Sequence, residues 1–152
     1  MRIFITAAAA ILALAPAYAA AQSSSWYRVG GNAKQMSYVD LGSVRPLGGK
    51  IIAVTKSVYK DQLNGDTGIF STEIRSEYDC PGNYFRTLEY TYFGVAGSKI
   101  STEPSQSINE HKTPAAGSIN EAMLEFICYR KGGTPVTSPY SDAAQQIPLM
   151  AD

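Results

Sequence analysis

The sequence predicts an α+β domain, an antiparallel sheet of about six strands with one C-terminal helix packed on it and tied by a disulfide. Three observations carry this expectation. Period-two stretches rich in Ile, Val, Thr and Tyr are punctuated by glycine turns, one capping-box segment opens a helix near the C-terminus, and the chain holds two cysteines, Cys80 and Cys128. Ten tyrosines against one tryptophan and five phenylalanines suit half-buried sheet faces, where rings pack while hydroxyls reach water.

At the N-terminus, Arg2 precedes an apolar run from Ile3 to Leu14, then Pro16 and Ala17-Tyr18-Ala19. This is the pattern of a secretory signal peptide over residues 1–19, with cleavage after Ala21 as the alternative. The run is shorter than the roughly 20 apolar residues of a spanning helix, so cleavage is expected and no membrane anchor remains. The remainder suffices for one domain with one core, placed at 20–133. Removing Arg2 takes the basic count from 13 to 12 against 13 acidic residues. These charges are interspersed, so no basic stripe recruits nucleic acid or anionic lipid.

Trp26 to Val29 reads as the first strand, and Gln35 to Leu41, after Gly30-Gly31-Asn32, as the second. Lys50 to Lys60 is the third, bounded by Pro46-Leu47-Gly48-Gly49 and Asn64-Gly65-Asp66. The clearest alternation runs from Ile69 to Cys80. Phe70, Thr72, Ile74, Ser76, Tyr78 and Cys80 share a core face, while Ser71, Glu73, Arg75, Glu77 and Asp79 share a wet one. Tyr84 to Phe93 follows, with Arg86, Leu88, Tyr90 and Tyr92 opposite Phe85, Thr87, Glu89 and Thr91; aromatics on both faces suggest that each is covered. Strand signals fade through Ser98 to Glu103, and Pro104 to Gly117 reads as a loop.

Ser118-Ile119-Asn120-Glu121 is a capping box: the Ser hydroxyl accepts from the third helical N–H and the Glu carboxylate reaches back to the cap N–H. The helix is expected to run to Arg130 or Lys131 and stop at Gly132-Gly133, burying Ala122, Met123, Phe126 and Ile127 against the sheet. The prolines and small polar residues of 134–152 show no periodicity and read as a disordered C-terminal tail.

An even cysteine count in an exported chain is read as a disulfide. Closing a loop of roughly 49 residues between Cys80 and Cys128 restricts the unfolded chain by about 4 kcal/mol. Neither cysteine has the CxxC neighbour or local cation that redox catalysis requires, so the bridge reads as structural.

The search for chemistry is mostly negative, and no cofactor is expected. His111 is the single histidine and lies in a proline-flanked polar loop without a nucleophile elbow, which makes a surface role the better reading. One His and scattered carboxylates match no zinc spacing, and Asn64-Gly65-Asp66-Thr67-Gly68 lacks the ligand alternation of a calcium loop, so it reads as a hairpin turn. The glycine pairs 30–31 and 48–49 open no helix and read as turns. Tyr84, Tyr90 and Tyr92 are the candidate binding surface, since aromatic side chains are enriched in interfaces; core packing is the competing account. The charged stripe from Glu73 to Asp79 reads as a solvated face.

The order of Trp26, Tyr38-Val39-Asp40-Leu41-Gly42-Ser43-Val44, an apolar strand ending at Tyr59, Ser71, Tyr78-Asp79-Cys80, a Tyr-rich strand, Pro114 and Cys128 resembles the surface-adhesin protein E family of Gram-negative bacteria over Trp26 to Tyr129. The resemblance implies a disulfide-stapled sheet and helix, and binding to host matrix or serum proteins, with a homodimer allowed. The named adhesin is a lipoprotein, whereas no cysteine follows this signal peptide, so a periplasmic or secreted protein is expected. The partner is then a protein or other macromolecule. A periplasmic inhibitor or accessory protein of the lysozyme-inhibitor kind is the alternative, and a protruding ordered loop would favour it.

Overall fold

The computed structural model describes residues 25–150; the expected signal peptide lies outside them. The chain builds β1 (Trp26–Asn32), β2 (Gln35–Leu47), β3 (Lys50–Tyr59), β4 (Ser71–Asp79), β5 (Tyr84–Phe93), β6 (Lys99–Pro104), α1 (Ile119–Tyr129), β7 (Thr134–Val136) and α2 (Pro139–Gln146). The strands form one antiparallel sheet in the order β6-β5-β4-β3-β2-β1-β7. The first six are therefore a meander, and its two-residue β2–β3 turn uses Gly48 and Gly49 at positive φ of 56° and 79°, a conformation that favours glycine. Both edges of the sheet carry a proline, Pro104 and Pro135, which blunts them against further strand pairing.

The motif around Asp40 is an interruption built into β2. The register with β3 shifts between Asp40 and Arg45. Ser43 fills the gap in the ladder: its Oγ accepts from the Val54 N–H at 2.7 Å and donates to the Asp40 carbonyl at 2.6 Å, while Asp40 Oδ1 accepts from the Gly42 N–H at 3.0 Å. Side-chain oxygens thus replace lost backbone partners.

Each face of the sheet has its own core. On one, Met123, Leu124, Phe126 and Ile127 of α1 pack on Val39, Ala53, Tyr78 and Phe85, and Phe126 meets Tyr27 with ring centroids 5.1 Å apart. Leu124 joins the expected Met123, Phe126 and Ile127, while Ala122 is half-buried. The Cys80–Cys128 disulfide ties the end of β4 to the last turn of α1. Ser118 Oγ accepts from the Glu121 N–H at 3.2 Å, but the Glu121 carboxylate reaches one residue further than a capping box demands, accepting from Gly117 N–H at 2.6 Å. The helix ends earlier than expected, because Arg130 itself adopts the left-handed conformation at φ 57°, its guanidinium donating to the Phe126 and Ile127 carbonyls.

The opposite face corrects the expectation of a disordered 134–152 tail. Thr134–Val136 pairs with β1 as the seventh strand, and α2 lays Ala143, followed by Ile147, on Met36, Tyr38 and Val58, with Trp26 and Tyr140 alongside. Asp142 anchors it, accepting from Arg28 at 2.7 Å and from the Tyr38 hydroxyl at 2.9 Å. Lys56 adds a second anchor, with its Nζ 4.8 to 5.2 Å from the ring centroids of Tyr140, Phe93 and Trp26 and 3.0 Å from Glu73. A helix of eight residues has too few apolar positions for a visible period, so its stability comes from tertiary contacts.

This second cover also corrects the division of β4 into a core face and a wet face. Ser71 is fully buried, its hydroxyl 2.9 Å from Tyr140 OH, and Glu77 is buried beneath Arg86 and Lys50.

Candidate functional site

Helix α1 lies over β1, β2 and β3, and the rest of that sheet face is open to another use. A trough of about 340 Å³ remains there, lined by the sheet, by Lys112 and by the first turns of α1 from Ser118 to Met123. Its floor is made of hydroxyls: Ser37, Thr55, Ser57, Ser76 and Thr87 line it and none is more than 6% exposed. Strand register places them in rows, Ser37 opposite Ser57 and Ser76 opposite Thr87. Central sheet positions ordinarily carry branched apolar residues that fill volume. Small hydroxyl residues leave that volume unfilled.

The hydroxyls hold one another loosely. Ser37 and Ser57 Oγ lie 3.3 Å apart, and Thr55 Oγ1 donates to the Ile74 carbonyl at 3.4 Å, both longer than the roughly 2.8 Å usual for hydroxyl donors. Tyr78, Phe85 and Tyr90 supply aromatic surface to the lining, and Lys112 is its single charged side chain. Lys112 Nζ donates to Ser107 Oγ at 3.3 Å. Tyr90 stacks on Tyr92 with centroids 6.1 Å apart and planes 4° from parallel, and the Tyr59 hydroxyl on the same face donates to Thr72 Oγ1 at 3.3 Å. Burial raises the hydroxyl pKa of Tyr78, Tyr59 and Tyr92, so these three hydroxyls stay neutral at physiological pH.

The three tyrosines read from the sequence as one surface do not form one. The β4–β5 register shifts at Leu88, where Arg75 faces Glu89 and Ser76 faces Thr87. This bulge reverses the alternation. Tyr90 and Tyr92 therefore share a face with Phe85 and Thr87 rather than with Arg86. Tyr84 lies on the opposite face in a polar network, its hydroxyl accepting from Lys50 Nζ at 2.7 Å. Lys50 also pairs with Glu77 and Asp79, and Arg86 grips Glu77 with two bonds of 2.9 and 3.1 Å. His111 stacks on Tyr84 at 4.5 Å, away from the trough.

The charged stripe of β4 is paired within the molecule: Glu73 with Lys56, Arg75 with Glu89, Glu77 with Arg86, Asp79 with Lys50. No group of three acidic, His or Cys side chains positioned for a metal ion occurs among the described residues. Sequence reasoning passed over the trough hydroxyls. The signal for two of them was present in Ser57 and Ser76, hydroxyl residues where a core strand face calls for apolar ones.

Sheet, stapled helix and open trough together define a disulfide-tied α+β scaffold with a recess on one sheet face. The chain belongs to the surface-adhesin protein E family, whose model matches residues 26–129. The match stops short of β7 and α2, the elements that cover the opposite face. Membership points to an adhesin-like binding role. No curated protein and no solved structure matches the chain, and no helix among the described residues is long and apolar enough to cross a membrane.

Proposed function

We propose that the mature chain is an exported, non-enzymatic binding protein of the periplasm or extracellular space that engages a protein or other macromolecule through Tyr90, Tyr92 and the adjoining trough. The observation that carries this reading is the stacked, half-buried Tyr90–Tyr92 pair beside an unfilled recess in a chain of the adhesin E family. Aromatic side chains at the edge of a concavity supply large contact area at low entropic cost. Host matrix proteins are the first partners to test.

Capture of immobilised matrix proteins and envelope extract by the mature protein is expected to fall about tenfold or more in Tyr90→Ala and Tyr92→Ala. Tyr84→Ala and His111→Ala, on the far face, are expected to leave it unchanged. A hydrolytic or transfer activity that disappears in His111→Ala would overturn the reading. An envelope inhibitor is the second reading, favoured by the exposed loop 60–70. Bonds from Thr67 Oγ1 to the Leu63 carbonyl at 2.5 Å and from Gly68 N–H to Gln62 at 2.7 Å hold that loop in one shape. Inhibition of a lysozyme, lost when Asn64 and Asp66 are replaced by Ala, is the result that would select it.

A further inference from the structure

We propose that the trough on the α1 face is a saccharide site that takes one or two rings of a neutral glycan. This rests on the binding reading above and names the class of ligand for it. The volume of about 340 Å³ lies at the small end of the roughly 300–1,000 Å³ of ligand pockets.

The chemistry of the lining rejects the other classes in turn. A phosphate or carboxylate needs a concentration of cations, and Lys112 is the single one, already donating to Ser107. A cation needs carboxylates, and the lining has none. An apolar ligand would strip water from Ser76 and Thr87 and leave nothing in its place, which penalises each hydroxyl left unpaired. An extended peptide adds to a free strand edge, whereas the floor strands β3 and β4 are paired on both sides.

A neutral sugar meets every feature. Each floor hydroxyl offers one donor and two acceptor lone pairs, and a sugar hydroxyl is the same kind of group, so a polyol pairs with the floor in either sense. The long bonds of 3.3 and 3.4 Å within the floor cost little to exchange. Tyr78, Phe85 and Tyr90 present aromatic surface for the C–H face of a ring, while Ile74 and Met123 add aliphatic contact. Asn120, in the first turn of α1, adds a side-chain amide that both donates and accepts.

The test is a two-dimensional amide NMR titration of the disulfide-intact mature protein with tri-N-acetylchitotriose and, separately, maltotriose. Saturable shifts are expected with at least one of them, confined to β2, β3, β4, β5, the segment around Lys112 and the first turn of α1. The double variant Ser76→Ala, Thr87→Val keeps the shape of the floor and removes two hydroxyls, and is expected to weaken binding about tenfold or more while melting no lower than the parent. Tyr90→Ala, a half-buried site, is expected to weaken it independently.

No saturable shift with either trisaccharide up to about 10 mM, a Kd weaker than roughly 3 kcal/mol of binding free energy, overturns the proposal. So do shifts mapping to the α2 face, or unaltered binding in both variants. Capture of a matrix protein in the absence of any glycan response would remove the saccharide assignment and leave the binding reading standing. Cleavage of either trisaccharide during the titration would do the reverse.

Discussion

Leu88 has no partner across the β4–β5 ladder, and this extra residue decides which side chains β5 presents to the trough. Strict alternation groups Tyr90 with Arg86; the bulge groups it with Phe85 and Thr87 instead. Single residues also decide the core. Phe126 is 3% exposed, packs on Tyr27 and lies against Gly133 so closely that a Cβ there would overlap the ring. Phe126→Ala is therefore expected to cost about 3 to 5 kcal/mol in urea melts; a loss below about 1 kcal/mol would show that the ring is not a core residue. Glu77 contributes to the pH dependence at this scale. The two Arg86 hydrogen bonds, then the charges of Arg86 and Lys50, hold its carboxyl below the ordinary carboxylate range. A depressed folded pKa contributes stability that is present above the unfolded value of about 4 and is lost as pH falls through the folded value. Thermal melts are expected to drop between pH 5 and pH 2, and Glu77→Gln to make that drop shallower.

At the scale of elements, each helix is fastened to the sheet by side chains whose partners lie far away in sequence. For α1 it is the bridge from Cys128 to Cys80, 48 residues apart in sequence, together with the Tyr129 hydroxyl, which donates to the Cys80 carbonyl at 2.9 Å. Replacing both cysteines with Ala is expected to cost about 4 kcal/mol on the loop-entropy account while leaving the far-ultraviolet circular dichroism unchanged. Free thiols at both positions in oxidised, exported protein would contradict the bridge. For α2 the fastening is Asp142. Asp142→Ala leaves Arg28 and the buried Tyr38 hydroxyl without their acceptor, an expected loss of about 1 to 3 kcal/mol. Hydrogen exchange is expected to show the amides of α2 losing protection before those of β3; equal protection in variant and parent would show that the helix is held by its apolar contacts alone.

At the scale of the whole molecule, the sheet is covered on both faces by different means, a stapled helix on one and the C-terminal segment on the other. Truncation after Gly133 is expected to uncover Met36, Tyr38 and Val58 and produce self-association in sedimentation velocity, because a contiguous apolar sheet face seeks a cover; a stable monomer with unchanged melting would show that α2 is dispensable. The sequence by itself determined the α+β class, five of the strands, three of them close to their bounds, the Ser118 cap and the cysteine pair. Each of these rests on local chemistry: alternation, glycine turns, a hydroxyl facing helical N–H groups, two thiols with no other partner. Only the tertiary structure decided that the terminal segment is ordered, that Tyr84 parts from Tyr90 and Tyr92, and that a floor of hydroxyls lies open beside α1. The physical reason is the same in the three cases. A short helix, a one-residue bulge and an unfilled volume are defined by what lies across from them, and distant segments meet only when the sheet assembles.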